Sequence, residues 1–161
     1  MPTPEALAVL ATNAASTNKK FFQRVKKKKP KDLDRQVHKL HEEAFEQMDC
    51  LTCANCCKTT SPIITPKDID RIAKSQNMPP AKFVEQYLKI DDDGDYVFTS
   101  APCPFLGGDN YCSIYENRPN ACREYPHTDR RKVHQALKVT EKNVGICPAV
   151  YYIVEKLKTI Y

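Results

Sequence analysis

Apolar positions recur at helical spacing near both ends of the chain and lose that rhythm in the middle. From Asp32 to Met48, the residues Leu33, Val37, Leu40, Ala44, Phe45 and Met48 mark one face of a helix. The residues before it hold few turn signals apart from Pro30, so the first 49 residues are predicted to form two or three helices with a break near that proline. After Cys147-Pro148, Val150, Ile153, Val154, Leu157 and Ile160 line one face of a final helix, expected to pack against the N-terminal ones.

Between these helices the pattern is shorter-ranged. Thr65-Pro66-Lys67-Asp68 supplies an N-cap hydroxyl, a proline at the first helical position and an early acid, ahead of Ile69, Ile72 and Ala73 on one face. This predicts a helix to about Ser75. Pro79 and Pro80 open a second, through Phe83, Val84, Tyr87 and Leu88. Leu88 to Thr99 reads as a small hairpin, with Asp91-Asp92-Asp93-Gly94 at its turn and Tyr96-Val97-Phe98 returning. The acidic turn is no EF-hand, because Gly94 at the sixth loop position would put Lys89 first and Ser100 twelfth, where a calcium loop needs carboxylates. From Cys103 to Pro126 the chain is dense in Pro, Gly, Asn and Cys, which predicts short turns around something other than a large apolar core.

Composition sharpens this picture. At 161 residues the chain is long enough to bury a sizeable core, so its eight cysteines are not needed as disulfides merely to make it fold. Met1 to Thr17 has Glu5 in front and its lysines behind, opposite to a secretory signal, and no segment is apolar enough to span a membrane. The expected setting is soluble and cytoplasmic, where clustered cysteines serve as metal ligands or redox thiols. Residues 1–40 carry ten Lys/Arg against three acids, and 41–161 carry fifteen against seventeen, so the whole positive excess of the +5 chain lies in the N-terminal arm. Lys19, Lys20, Arg24, Lys26 to Lys29 and Lys31 could attract nucleic acid or an acidic lipid surface, but a solvated helix face is the simpler expectation, since no aromatic platform beyond Phe21 and Phe22 accompanies them.

The run Cys50-Leu-Thr-Cys53-Ala-Asn-Cys56-Cys57 contains two overlapping Cys-x-x-Cys spacings. Such a turn aims two sulfurs at one centre, and its backbone N–H groups soften the accumulated charge. Cys103, Cys112, Cys122 and Cys147 follow, enough for two four-thiolate sites or for one cluster and a smaller site. Adjacent Cys56 and Cys57 are expected to point apart, serving different centres or leaving one as a non-ligand. Closed tetrahedral thiolate shells suit zinc; Cys-x-x-Cys-x-x-Cys with a distant Cys-Pro, here Cys103-Pro104 or Cys147-Pro148, suits a [4Fe-4S] cluster. The spacing leans toward iron–sulfur and is compatible with zinc. The expected fold is therefore mainly α with a small β-hairpin. A helical, basic arm over 1–49 is followed by a metal-binding domain over 50–161, whose irregular cysteine-rich segment packs against the N- and C-terminal helices.

The blocks Cys50-x-x-Cys53-Ala-x-Cys56-Cys57, Thr65-x-x-Asp68-Ile69-x-Arg71-Ile72-Ala73, Cys103-Pro104-Phe105-Leu106 and Cys112-x-Ile114-Tyr115-x-x-Arg118-Pro119-x-x-Cys122-Arg123-x-Tyr125-Pro126 resemble the YkgJ family of cysteine-cluster proteins. The resemblance covers about Cys50 to Cys147 and implies zinc or iron chelation by the matched cysteines. It extends to the cluster domain of flagellin lysine N-methylases, which makes an iron-centred redox or methyl-transfer enzyme the alternative function. Only four glycines and no glycine-rich nucleotide loop argue against a Rossmann unit. Where the family has glycine after the second cysteine this chain has Ala54, which argues against a left-handed turn there.

Arg118 and Arg123 are expected near the thiolate-rich centre, able to neutralise its charge or bind an anion, with a structural ion pair the simpler role. His127, after Tyr125-Pro126, is a candidate additional ligand; His38, His41 and His134 have no comparable setting. Thiol–disulfide exchange is a further alternative, although the βαβ setting usual for its Cys-x-x-Cys motif is not visible. No protein partner can be read from the chain.

Overall fold

The computed structural model describes all of residues 1–161. In chain order, the helices are α1 (Pro4–Asn13), α2 (Ala15–Lys28), α3 (Leu33–Glu46), α4 (Cys50–Cys53), α5 (Asn55–Thr59), α6 (Pro66–Ser75) and α7 (Pro80–Tyr87). The strands β1 (Leu88–Ile90) and β2 (Tyr96–Phe98) follow, then α8 (Asn120–Glu124), α9 (Leu137–Asn143) and α10 (Pro148–Ile160). The protein is thus mainly α with one small hairpin. No helix is long and apolar enough to cross a membrane.

The chain forms two compact units, one of Met1–Asp49 with Pro126–Tyr161 and one of Cys50–Tyr125. In the first, α3 buries Leu33, Val37, Leu40 and Ala44, and α10 packs on it with Val150, Ile153, Val154 and Leu157 buried. The expectation that the last helix joins the N-terminal ones holds, except at Ile160, which is 45 % exposed because it lies in the final turn beyond Leu157. α2 turns Phe21, Phe22 and Val25 inward, so its lysines occupy the outer face. It ends at Lys29, left-handed at φ 47°, just ahead of Pro30. The helix α9 and the 3-10 turn Val133–Gln135 were not anticipated; Val133, Leu137 and Val144 are buried with Thr140 and Asn143 between them. Those buried polar residues interrupt the apolar rhythm that would announce a helix.

The second unit has its own core of Ile64, Ile69, Ile72, Phe83, Leu88, Phe98, Phe105 and Ile114, against which Cys103 and Cys112 pack. Phe105 sits at its centre, with ring centroids 6.2 Å from Phe83, 5.0 Å from Tyr87 and 5.6 Å from Phe98. α6 begins with a capping box: the Thr65 hydroxyl accepts from the Asp68 N–H, and the Asp68 carboxylate accepts from the Thr65 N–H at 3.0 Å. α7 ends at Tyr87, one residue earlier than its apolar face suggests, because Leu88 pairs with Phe98 in the antiparallel hairpin. At the hairpin turn the Asp91 carboxylate accepts from the N–H groups of Asp93 and Asp95, and Gly94 takes the positive φ of 85° the turn requires. Asp91 is thus an ordinary turn residue.

Candidate metal centre

No disulfide joins any of the eight cysteines. Cys50, Cys53, Cys56, Cys57, Cys103, Cys112 and Cys122 belong to the second unit. Cys147 belongs to the first, buried at the N-cap of α10, where its N–H donates to the Asn143 carbonyl at 2.9 Å. His127 is also in the first unit, with φ 67°.

The cysteine run folds as two very short helices, α4 and α5, joined at Ala54. Ala54 is left-handed, at φ 48° and ψ 14°, contrary to the expectation drawn from its side chain. The backbone around it explains why. Its N–H donates to the Cys50 carbonyl at 2.9 Å and its carbonyl accepts from Lys58 at 3.1 Å, so it closes one helical turn and opens the next, while its methyl is buried. Holding an alanine there costs about 1–2 kcal/mol against a right-handed conformation. The turn at Cys50 to Cys53 is further tied by the Asn110 side chain, which donates to the Thr52 carbonyl at 3.1 Å.

Cys56 and Cys57 do not point apart. Both sit in α5, and their sulfurs are 4.0 Å apart. A hydrogen bond from Cys56 is the main reason the Cys57 thiol is lowered to about 7, with Lys58 adding a smaller pull.

Cys103 and Cys112 flank a second small turn. The Gly107 N–H donates to the Tyr111 carbonyl at 2.7 Å, the Ser113 N–H to the Phe105 carbonyl at 2.9 Å, and Leu106 bridges to Cys112. A Cβ at Gly107 would lie 2.6 Å from the Asp109 carboxylate oxygen and 3.3 Å from the Tyr111 carbonyl, so a larger residue there would displace the Asp109 side chain. The Leu106 N–H donates to the Cys103 carbonyl at 3.0 Å. The backbone amides of Phe105 and Leu106 lower the Cys103 thiol, and that of Ile114 lowers Cys112, by less than burial raises each of them.

Cys122 lies in α8. Burial pushes its thiol up to about 12, and the negative charges of Cys57, Cys103 and Cys112 push in the same direction. Burial likewise raises Cys103 to about 11, with Cys57 and Cys112 contributing, and raises Cys112, with Cys57 contributing. Cys57, Cys103, Cys112 and Cys122 therefore lie in one another's electrostatic field, although they come from separate segments. The Cys103 N–H donating to the Cys57 carbonyl at 2.8 Å joins two of those segments directly. No three His, Cys, Asp or Glu side chains are placed to hold an ion, so the four thiols form a converging set and not a closed coordination shell. The donor chemistry fits zinc or iron, which accept four thiolates and favour sulfurs that also receive N–H donors.

Arg118 is the cation that acts on Cys112 and Cys122. Its guanidinium lies 3.8 Å from the centroid of the Tyr115 ring and donates to the Tyr115 carbonyl at 2.6 Å, and its charge pulls the Cys112 and Cys122 thiols down. Arg123 is differently employed: it donates to the carbonyls of Glu116 and Arg118 and so ties down the turn before α8. Sequence reasoning passed over Asp68 and Arg71. Asp68 is completely buried and Arg71 bonds both to it and to the Arg118 carbonyl. The signal was the Thr-x-x-Asp capping box followed three residues later by arginine.

No curated protein and no solved structure matches the chain. A family model does, over residues 49–148, which is more than half of the chain and takes in all eight cysteines. Its description is "CxxCxxCC: Putative zinc- or iron-chelating domain". The protein whose thiols converge in this way belongs to that CxxCxxCC family.

Proposed function

We propose that this protein chelates zinc or iron through Cys57, Cys103, Cys112 and Cys122. The reading is supported by the backbone bond from the Cys103 N–H to the Cys57 carbonyl, by the packing of Cys103 and Cys112 on one core, and by the mutual opposition of these thiols and Cys122 to ionisation.

The chain's own groups divide the work of binding. Cys57, hydrogen-bonded by Cys56, is the thiol that gives up its proton near neutral pH. Cys103, Cys112 and Cys122 hold theirs until a cation arrives to replace them. Arg118 offsets part of the resulting negative charge, and the aromatic cluster around Phe105 keeps one side of the site dry. A bound zinc or iron would cross-link the segments of a loop-rich region and contribute folding free energy there, and an iron centre would add redox capacity.

Metal analysis of protein purified without oxygen tests the reading. One equivalent or more of zinc or iron, lost on single replacement of any of the four cysteines by serine, is the expected result. Less than about half an equivalent in the unaltered protein would count against chelation as the function.

A further inference from the structure

Resting on the four-thiol reading, we propose that Asp68 and Arg71 form a brace that sets the orientation of α8 and thereby positions Cys122 as the fourth ligand. The Asp68 carboxylate, wholly buried, accepts from the Thr65 N–H and hydroxyl on Oδ2, and from Arg71 at 2.5 Å and the Asn120 N–H at 3.1 Å on Oδ1. Asn120 is the first residue of α8, two before Cys122. The same Arg71 nitrogen that meets Asp68 donates to the Arg118 carbonyl at 2.9 Å. One carboxylate and one guanidinium thus grip both sides of Pro119, the residue on which α8 starts. Because the Cys122 N–H donates to the Pro119 carbonyl at 2.9 Å, any rotation of this turn is passed to the thiol.

The capping box alone does not call for this arrangement. It needs only the Thr65 contacts, yet Asp68 spends its second oxygen on Asn120 and Arg71. Arg71 in turn leaves its buried Nε–H without an acceptor, so its place is not the one that best satisfies the guanidinium. Both departures serve the start of α8. α6 has no cysteine of its own, and through this pair it nevertheless fixes one of the ligands.

The brace is tested with cobalt(II) as a spectroscopic stand-in for the metal in the full-length reduced protein, using Asp68→Asn, Arg71→Gln, Arg71→Lys and Cys122→Ser. At saturating cobalt, the thiolate charge-transfer absorption of Asp68→Asn and Arg71→Gln is expected to fall by about a quarter, to the level of Cys122→Ser, as three sulfurs replace four. Cys122 in these variants is alkylated by iodoacetamide while Cys57, Cys103 and Cys112 stay protected. Arg71→Lys, which keeps the charge, recovers part of the protection. A merely structural role would lower the melting temperature and leave the saturated spectrum unchanged; a wild-type spectrum with Cys122 still protected in Arg71→Gln overturns the proposal. Should Asp68→Asn not fold by circular dichroism, the arginine variants decide alone. If Cys122→Ser itself gives the wild-type spectrum, the ligand assignment fails, and the brace falls with it.

Discussion

The N–H of Cys103 donates to the carbonyl of Cys57 at 2.8 Å, so the last cysteine of the clustered run and the first of the later ones are joined through their backbones before any metal is considered. Their backbones therefore start from a fixed mutual position. Replacing either by serine leaves this hydrogen bond in place and removes one donor. Cys57→Ser and Cys103→Ser are expected to fold as the parent does, and to bind zinc at least about a hundred-fold more weakly in a competition titration with a chromophoric chelator.

Binding should depend steeply on pH, and the sign follows from the shifted thiols. Cys103 and Cys122 are raised to about 11 and about 12, and Cys112 is raised as well, so all three carry protons at neutral pH, whereas Cys57 at about 7 is already half ionised. Coordination must then release close to three protons, and affinity must weaken as pH falls. Between pH 7 and 8 the zinc affinity is expected to rise on the order of a thousand-fold, with calorimetry in buffers of different ionisation enthalpy counting about three protons released. A flat profile would show that these thiols are not the ligands.

Ala54 holds a left-handed backbone that glycine adopts without strain. Ala54→Gly should relieve most of that strain, offset in part by the greater freedom of glycine in the unfolded chain and by the loss of a buried methyl. The expected outcome is a neutral to stabilising change of up to about 1 kcal/mol by chemical denaturation, with metal content unchanged. Ala54→Val, whose branched side chain resists positive φ, should instead destabilise the second unit.

In the first unit the Tyr161 hydroxyl donates to the Asp32 carboxylate at 2.8 Å. Burial, and then the bond to Asp32, raise Tyr161 to about 12, while the bond from Tyr161 is the largest of those that lower Asp32. Tyr161 thus contributes stability that is fully present below its ordinary value near 10 and lost as pH rises from there through about 12. Asp32 contributes above its ordinary 3.8, and loses that contribution as pH falls through its lowered folded value. Tyr161→Phe should lower the melting temperature at pH 7, with the difference from the parent shrinking toward both extremes.

What the sequence made legible was local. Thr65, Pro66 and Asp68 announced α6 because a capping box is written in four consecutive residues, and Asp91 to Gly94 announced a hairpin turn for the same reason. Which cysteines come together was less legible, since the Cys57 backbone meets that of Cys103 only after α6, α7 and the hairpin have folded between them. α9 was missed because Thr140 and Asn143 occupy buried positions, where a reading of periodicity looks for apolar residues. Ala54 misled because its side chain disfavours a conformation that the hydrogen bonds on either side of it impose. Asp68 read as a cap alone. Its second oxygen serves Asn120, a partner that no local pattern reveals.

The packing of α10 on α3 has a consequence for the order in which the protein is made. α3 leaves the ribosome before Cys50–Tyr125 and its principal partner α10 after it. Domains fold as units as they emerge. The cysteine unit is thus fully synthesised while Val37 and Leu40 of α3 still await Val150 and Ile153. The apolar face of α3 therefore stays uncovered for as long as the intervening unit takes to be made, which exposes the nascent chain to association through that face.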